Sequence, residues 1–140
     1  MYRLLALVVA VLLVTPHASL AKKFTRCGLA KELKKHGIKD LRNWVCLAES
    51  ESGLNSNVVG SVNRDGSLDN GIFQINNRYW CKNGRKGGDC NIKCEDLKND
   101  NIADDIGCAK KIYKRHGFNA WYGWRSKCQS GLPDLSKCRI

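Results

Sequence analysis

Eight cysteines lie behind an N-terminal apolar leader, and they constrain what this chain can fold into more than any other feature. They are Cys27, Cys46, Cys81, Cys90, Cys94, Cys108, Cys128 and Cys138. The leader begins with a basic residue, Arg3, followed by an apolar run over residues 4–14 and small residues up to Ala21, which is the pattern of a secretory signal peptide. An even number of cysteines in a secreted chain predicts four disulfides, although spacing alone leaves on the order of a hundred pairings open.

A membrane anchor is the other interpretation of the leader. Its apolar run is well short of the roughly 20 residues that span a bilayer. We therefore predict a signal peptide over residues 1–21, cleaved after Ala21, with Ala18 as a second possible cleavage site. Residues 22–140 then form one secreted domain. A zinc site is disfavoured, because Cys90 and Cys94 are the only close pair and a secretory compartment favours disulfides.

The chain is strongly basic. Its formal net charge is +11, which falls to +10 when Arg3 leaves with the leader. Such a charge attracts polyanions and anionic surfaces, including bacterial envelopes, nucleic acid and acidic glycans, but it says nothing about fold. No run of five or more basic residues occurs, so dedicated nucleic-acid binding is not expected. A basic protein that is merely soluble is the plain alternative.

Hydrophobic spacing predicts an α+β domain that is mostly helical. The predicted helices cover residues 25–36, residues 41–52, a central segment that begins near Ile102, and a short segment over residues 121–127. The tetrad Asn63-Arg-Asp-Gly66 ends in Asp-Gly, a strong hairpin signal, and predicts a small antiparallel sheet that carries Asp69. Residues 82–94 show no periodicity and are expected to form a loop tied by cysteines.

Two carboxylates are the candidate catalytic residues. Glu51 falls in the last turn of the second predicted helix, where the helix dipole disfavours a negative charge, and broken local rules of this kind concentrate at functional sites. Asp69 lies among side chains that can donate hydrogen bonds, namely Asn63, Ser67, Asn70, Gln74 and Asn76. Glycosidic cleavage needs one protonated and one charged carboxyl group. From spacing alone, however, solvated surface carboxylates are the ordinary interpretation.

A resemblance to a known family favours the catalytic interpretation of these carboxylates over the ordinary one. The motifs that carry it are Lys23-Phe-Thr-Arg-Cys27, Asn43-Trp-Val-Cys46, Glu51-Ser, Asp65-Gly-Ser-Leu-Asp69, Gly71-Ile-Phe-Gln-Ile-Asn76, Arg78-Tyr-Trp-Cys81, Cys108-Ala-Lys-Lys-Ile and Asn119-Ala-Trp121-Tyr-Gly-Trp124. Together they resemble a c-type lysozyme, a glycoside hydrolase, over essentially all of residues 22–140. The compact form and the Tyr-Gly-Trp sequence are most similar to insect members.

The resemblance implies a lysozyme-like fold with an active-site cleft between a helical part and a small sheet. It implies that Glu51 is the general acid and Asp69 the nucleophile or stabiliser of a retaining hydrolysis. Lysozymes are themselves the type case of this division of roles. The implied substrate is the β-1,4 bond between N-acetylmuramic acid and N-acetylglucosamine in peptidoglycan. Implied cleft residues are Asn76, Tyr79, Trp80, Ala120 and Trp121, the last also packing against Glu51. The implied disulfides are Cys27–Cys138, Cys46–Cys128, Cys81–Cys94 and Cys90–Cys108.

Three departures from the family pattern bear on the site. Asn70 stands where tyrosine often follows the stabilising aspartate, which is expected to alter packing or hydrogen bonding around Asp69. Tyr79 replaces a common tryptophan. The segment Lys114-Arg-His-Gly is short and basic where vertebrate members carry an acidic sugar contact, which puts binding of the outermost sugar in doubt.

No metal or cofactor is expected. Residues 96–105 resemble the calcium loop of α-lactalbumin and the calcium-binding lysozymes, and oxygen ligands at those spacings suit Ca²⁺. Asn99 replaces one charged ligand, so we prefer the interpretation that Asp104 and Asp105 merely favour a helix N-terminus.

Other functions remain as alternatives. One is a non-catalytic member of the same fold, whose expected mark is loss of Glu51 or Asp69. The second is a cationic membrane-disrupting protein, which lacks the long basic amphipathic helix that such activity uses. His36 and His116 are expected to be exposed and not catalytic, and Trp44 and Trp124 to be core. We expect a monomer without stable membrane insertion.

Overall fold

The computed structural model describes residues 8–11 and 22–140, so most of the predicted signal peptide lies outside the described residues. Residues 8–11 are exposed and belong to no helix or strand. The α-helices are α1 Arg26–Lys35, α2 Leu41–Ser52, α3 Ala103–His116 and α4 Tyr122–Lys127. The strands are β1 Asp69–Asn70 and β2 Ile75–Asn76, and short 3-10 helices cover Cys94–Leu97, Phe118–Ala120 and Ser136–Cys138.

The first two helices begin and end as their sequences predict. Thr25 caps α1, since its hydroxyl accepts a hydrogen bond from the Gly28 N–H at 2.9 Å. Helix α2 ends at Gly53, which adopts the left-handed conformation with φ 62°. Six residues of α2 are buried, more than the narrow apolar stripe predicts: Trp44, Val45, Cys46, Leu47, Ala48 and Ser52. Helix α2 therefore runs through the core and carries Glu51 in its last turn.

The small sheet forms where the hairpin signal predicts it. Gly66 N–H donates to the Asn63 carbonyl at 2.9 Å and closes the turn. Strand β1 then pairs antiparallel with β2 in a register that places Asp69 opposite Asn76. Gly71 follows β1 with φ +76°, and a Cβ there would stand 1.9 Å from the Leu97 carbonyl oxygen. Only glycine lets the sheet approach the 3-10 helix at Cys94–Leu97 so closely.

Four disulfides join distant parts of the fold. They are Cys27–Cys138, Cys46–Cys128, Cys81–Cys94 and Cys90–Cys108, the pairing that the resemblance implies. Cys46–Cys128 ties α2 to the end of α4, and Cys90–Cys108 ties the loop over residues 82–94 to α3. Trp44 is core, as predicted, and its ring meets those of Phe73, Phe118 and Trp121 edge-on. The α+β, lysozyme-like architecture is thus confirmed.

Asp104 and Asp105 both lie in the first turn of α3, as predicted, but Asp105 is not a solvated residue there. Asp104 is exposed at the start of α3, but the Asp105 side chain is fully buried, and neither of its carboxyl oxygens has a hydrogen-bond partner among the described residues. Burial raises the pKa of Asp105 to about 8. A group so placed does more than favour a helix N-terminus, because it costs folding free energy whenever it must ionise.

Candidate active site

A cleft of about 990 Å³ runs between the sheet and the helices. From the sheet side it is lined by Asn63, Arg64, Asp65, Ser67, Asp69, Gln74, Ile75, Asn76, Tyr79, Trp80 and Asp89. From the helical side it is lined by Glu51, Ile112, Arg115, His116, Asn119, Ala120, Trp121 and Tyr122. Every residue that the resemblance assigns to catalysis or sugar binding therefore lines one cavity.

Glu51 reaches the cleft from the last turn of α2 and is half-buried there. Burial raises the pKa of its carboxyl group, and the negative charge of Asp69 raises it further. The Gly123 N–H and the positive charge of Lys127 act in the opposite direction. Gly123 N–H donates to Glu51 Oε1 at 2.9 Å. Because a backbone N–H can only donate, Oε1 accepts, and Oε2 is the carboxyl oxygen without a hydrogen-bond partner among the described residues.

Asp69 begins β1 and is held at both oxygens. Asn63 Nδ2 donates to Oδ2 at 3.1 Å, and Asn76 Nδ2 donates to Oδ1 at 3.0 Å. Amide N–H groups match a charged carboxylate, which can only accept. Two of the five predicted donors thus contact Asp69 directly, and the other three do not.

Asn70 does not donate a hydrogen bond to Asp69, although it is the next residue along the chain. Its side chain is buried, and Nδ2 donates to the carbonyl groups of Leu68 at 3.2 Å and Ile75 at 3.1 Å. Asn70 therefore stabilises the backbone of the sheet from the face opposite Asp69. Gln74 likewise donates to backbone carbonyl groups, those of Val58 and Gly71.

Aromatic side chains form the cleft walls. Tyr79 is 57% exposed and presents its ring to solvent, whereas Trp80 lines the cleft but is buried. Trp121 is also buried, and its Nε1 donates to the Phe73 carbonyl at 2.9 Å, which fixes the ring. Ala120 is exposed beside it. Aromatic faces of this kind suit the apolar C–H surfaces of sugars.

A basic corner closes one side of the cleft. The Arg115 guanidinium forms an ion pair with Asp89 and lies 5.0 Å from the Trp80 ring centroid. This pairing holds the pKa of Asp89 below its usual range. His116 is exposed, as predicted, but its ring lies edge-on to Trp80 and lines the cleft. The short basic segment at the end of α3 is therefore part of the cavity.

Sequence reasoning missed one further contributor to the site. Gly123 supplies the hydrogen bond to Glu51, and a Cβ at this position would stand 2.9 Å from Oε1. The Tyr-Gly-Trp motif contains this glycine, but no local pattern reveals that α4 approaches α2 there. Trp124, predicted to be core, is half-buried, stacks on Phe118 at 5.2 Å and donates to Asn43.

The described residues contain no cluster of three or more His, Cys, Asp or Glu side chains suited to a metal. In the segment that resembles a calcium loop, the Asn99 and Asn101 side-chain oxygens accept hydrogen bonds from the N–H groups of Asn101 and Ala103. Asp100 accepts from the Lys22 N–H at 3.2 Å. The expectation of no constitutive metal stays a prediction.

Two unlike carboxyl groups across an aromatic cleft, on a disulfide-linked α+β scaffold, define a glycoside hydrolase of the lysozyme type. The sequence model of the C-type lysozyme/alpha-lactalbumin family matches residues 22–138, and the chain belongs to this family.

Insect relatives support that assignment. Lysozyme of Bombyx mori is 54% identical over 94% of this chain and 98% of its own length. Lysozyme c-1 of Anopheles gambiae is 52% identical over 84% of this chain and 86% of its own length. The expected likeness to insect members is confirmed.

Solved structures show the same fold. A lysozyme from Equus asinus superposes with a TM-score of 0.76 at 38% identity, covering 85% of this chain and all of that one. A calcium-binding lysozyme from equine milk superposes with a TM-score of 0.75 at 39% identity, with the same coverage of both chains.

Proposed function

We propose that the protein is a secreted muramidase that hydrolyses the β-1,4 bond between N-acetylmuramic acid and N-acetylglucosamine in bacterial peptidoglycan. The observation that carries the proposal is the contrast between two carboxyl groups of one cleft. Burial raises the pKa of Glu51, whereas amide donors hold both oxygens of Asp69. This is the division between a protonated and a charged carboxyl group that glycosidic cleavage requires.

Glu51 acts as the general acid in this proposal. Its Oε1 is occupied by the Gly123 N–H, so Oε2 carries the proton and delivers it to the glycosidic oxygen. The C–O bond to the leaving sugar breaks as that oxygen takes the proton. Glu51 is then a carboxylate and can remove a proton from the water that completes hydrolysis.

Asp69 acts from the other side of the cleft as nucleophile or electrostatic stabiliser of the positively charged ring. Both of its oxygens already have amide donors, so the carboxylate needs no rearrangement when charge develops on the sugar. The family resemblance implies retention of configuration at the anomeric carbon, with Glu51 switching from acid to base in the second step.

The remaining features fit an anionic wall polymer as substrate. Tyr79 and Trp80 offer aromatic surface to sugar rings, and the net charge, +10 once Arg3 has left with the leader, draws the protein to bacterial walls. We infer a signal peptide at residues 1–21, since the family match begins at residue 22, and a monomer in the extracellular space. Among the described residues, no helix has the length and apolarity that a bilayer crossing requires.

Turbidity clearing and reducing-sugar release from purified peptidoglycan test the proposal. Glu51→Gln and Asp69→Asn are compared with Glu49→Gln, which lies on the same helix but pairs with Arg26 away from the cleft. We expect the first two variants to lose at least about 100-fold in kcat, because removal of a positioned acid costs about that much or more. Glu49→Gln should retain activity.

One outcome contradicts this proposal: wall lysis by Glu51→Gln at the wild-type rate would remove the catalytic assignment. If the same variant loses wall lysis but kills intact bacteria as well as wild type does, an action of the basic charge on membranes operates alongside hydrolysis. Anomeric NMR of the first product distinguishes retention from inversion.

A further inference from the structure

The dipeptide Asn-Gly occurs twice in this chain, at Asn70-Gly71 and at Asn83-Gly84. In such a dipeptide the glycine nitrogen can attack the side-chain amide carbon of the asparagine, because glycine has no side chain to hinder the close approach. The products are ammonia and a cyclic succinimide, which water opens to aspartate or isoaspartate. The sequence treats the two positions alike, so any difference between them lies in the structure.

Asn70-Gly71 is held rigidly in the core. The Asn70 side chain is buried, and its Nδ2 donates to two backbone carbonyl groups of the sheet. The Gly71 N–H donates to the Val58 carbonyl at 2.7 Å. A Cβ at Gly71 would stand 1.9 Å from the Leu97 carbonyl oxygen, so the main chain is closely packed on that side. The peptide therefore has no room to turn towards the side-chain amide, and water has little access to it.

Asn83-Gly84 is open by comparison. Both residues are exposed, in the loop between the disulfide-bonded Cys81 and Cys94. Gly84 has φ +77°, and a Cβ there would meet no atom within 4 Å. The peptide between the two residues can therefore rotate towards the Asn83 side chain without a clash, and water reaches the amide.

Side chains of two other residues contact the atoms whose bonds would change. The Gly84 N–H donates to both carboxylate oxygens of Glu95, at 3.0 Å and 3.1 Å, and Asn83 Nδ2 donates to Glu95 Oε1 at 3.4 Å. Asn77 Nδ2 donates to Asn83 Oδ1 at 2.9 Å. Hydrogen bonds from its own N–H and from that of Gly84 hold the pKa of Glu95 below its ordinary value. A single carboxylate thus contacts both the attacking nitrogen and the departing one.

We propose that Asn83 is a self-modification site at which Glu95 and Asn77 promote loss of the side-chain amide. Glu95 accepts the proton of the Gly84 N–H as that nitrogen forms a bond to Asn83 Cγ. Asn77 Nδ2 stabilises the negative charge that develops on Oδ1. Glu95 then passes the proton to Nδ2, the Cγ–Nδ2 bond breaks, and ammonia leaves. Water opens the succinimide and leaves aspartate or isoaspartate at residue 83.

The modification changes the charge of this loop. The product places a second carboxylate against Glu95, and like charges at such a distance repel each other. We expect the loop between Cys81 and Cys94 to loosen and the modified protein to elute as a more acidic form on ion exchange. The reaction needs no substrate, so it does not depend on the proposed hydrolysis.

Peptide mapping of aged protein tests the site. The purified protein is incubated at neutral pH and physiological temperature, digested with pepsin at acidic pH and mapped by tandem mass spectrometry. In the folded protein we expect Asn83 to convert and Asn70 to stay intact. In reduced protein held in denaturant both should convert, Asn83 more slowly than in the folded chain, because Glu95 and Asn77 are no longer positioned. Electron-transfer fragmentation distinguishes isoaspartate from aspartate.

Variants test the assisting groups. Glu95→Gln should slow conversion of Asn83 at least about 10-fold, since a positioned base contributes about that much or more. Asn77→Ala should also slow it. Asp96→Asn is the matched control, because it removes the same charge from the next residue, whereas the Gly84 N–H donates to Glu95. Its rate should equal that of wild type. Circular dichroism establishes that each variant is folded.

The contrary outcomes are distinct. If Asn83 stays intact in the folded protein while the denatured chain converts, the site is refuted. Faster conversion in Glu95→Gln than in wild type would show that Glu95 protects the amide, and equal rates would remove its role as base. An unchanged rate in Asn77→Ala would remove the stabilising role of Asn77.

Discussion

The main-chain N–H of Gly123 donates to Glu51 Oε1 at 2.9 Å, which joins the end of α2 to the first turn of α4. The distance is short because residue 123 has no side chain. A Cβ there would stand 2.9 Å from Oε1 and 3.2 Å from the Ser50 Cβ, closer than side chains ordinarily allow. Because residue 123 is glycine, its N–H can bind Oε1 of Glu51, and Oε2 is the oxygen left to carry the proton of the proposed acid.

Gly123→Ala should impair catalysis by moving Glu51. The added methyl group must push either the carboxyl group or α4 by a few tenths of an ångström, and misplacement of a catalytic group is costly. We expect kcat to fall about 10-fold with little change in KM, measured by reducing-sugar release. Helix propensity does not explain such a loss, because alanine favours helix over glycine.

Gly107→Ala is the matched control for that variant. Gly107 lies within α3, and its Cβ would meet no atom within 4 Å. Activity should be unchanged and the melting temperature equal or slightly higher. Equal losses in both variants would mean that the Gly123 effect is not specific to Glu51.

The placement of the two carboxylates could be predicted from sequence, together with a set of five candidate donors for Asp69, but which of those donors reach Asp69 could not. Helical spacing ends α2 near Glu51, and the Asp-Gly turn predicts the strand with Asp69. Which amide reaches Asp69 depends on strand geometry. Asn76 lies opposite Asp69 in the register and shares its face, whereas the adjacent Asn70 points to the other face. The Gly123 contact arises from the packing of α4 on α2, which no local pattern encodes.

The burial of Asp105 was readable from the sequence. It lies three residues after Ile102 and four before Ala109, which are both buried core residues. Helical spacing thus places Asp105 among core residues, as the structure shows. An acidic residue in the first turn of a helix usually faces solvent, and Asp104 does so, whereas Asp105 occupies a core position one residue further along.

Lys127→Gln should move the alkaline limb of the activity profile to higher pH. The positive charge of Lys127 lowers the pKa of Glu51, so removing it lets Glu51 keep its proton to higher pH. Activity needs protonated Glu51 and is lost as pH rises through its folded pKa. We expect the shift to be largest at low ionic strength, because exposed charges are screened by salt. Lys34→Gln, on α1, should leave the limb unchanged.

Calcium should leave the melting temperature unchanged relative to magnesium. The Asn99 and Asn101 side-chain oxygens are already engaged with backbone N–H groups, and Asn99 lacks the charge that favours a tight calcium site. Differential scanning calorimetry at neutral pH, with each ion added to chelator-treated protein, provides the measurement. A rise with calcium alone would overturn the expectation of no constitutive metal.

Asp105→Asn should remove a pH-dependent loss of stability. The pKa of Asp105 is about 8 in the folded state, against 3.8 for an ordinary aspartate. Below pH 4 the carboxyl group is protonated in both states and contributes nothing. Between pH 4 and 8 only the unfolded chain releases the proton, so wild-type stability falls with rising pH, and above pH 8 the loss is complete.

The asparagine variant has no such proton to release. Its free energy of unfolding should exceed that of wild type by an amount that grows from pH 4 to pH 8 and reaches on the order of several kcal/mol. Denaturant titrations at three pH values, in the presence of a chelator, measure the difference. The exposed neighbour provides the control: Asp104→Asn should keep most of the wild-type pH dependence, reduced only by the loss of a negative charge that helps to raise the pKa of Asp105. A constant difference between Asp105→Asn and wild type from pH 4 to 8 would show that Asp105 ionises normally in the folded protein.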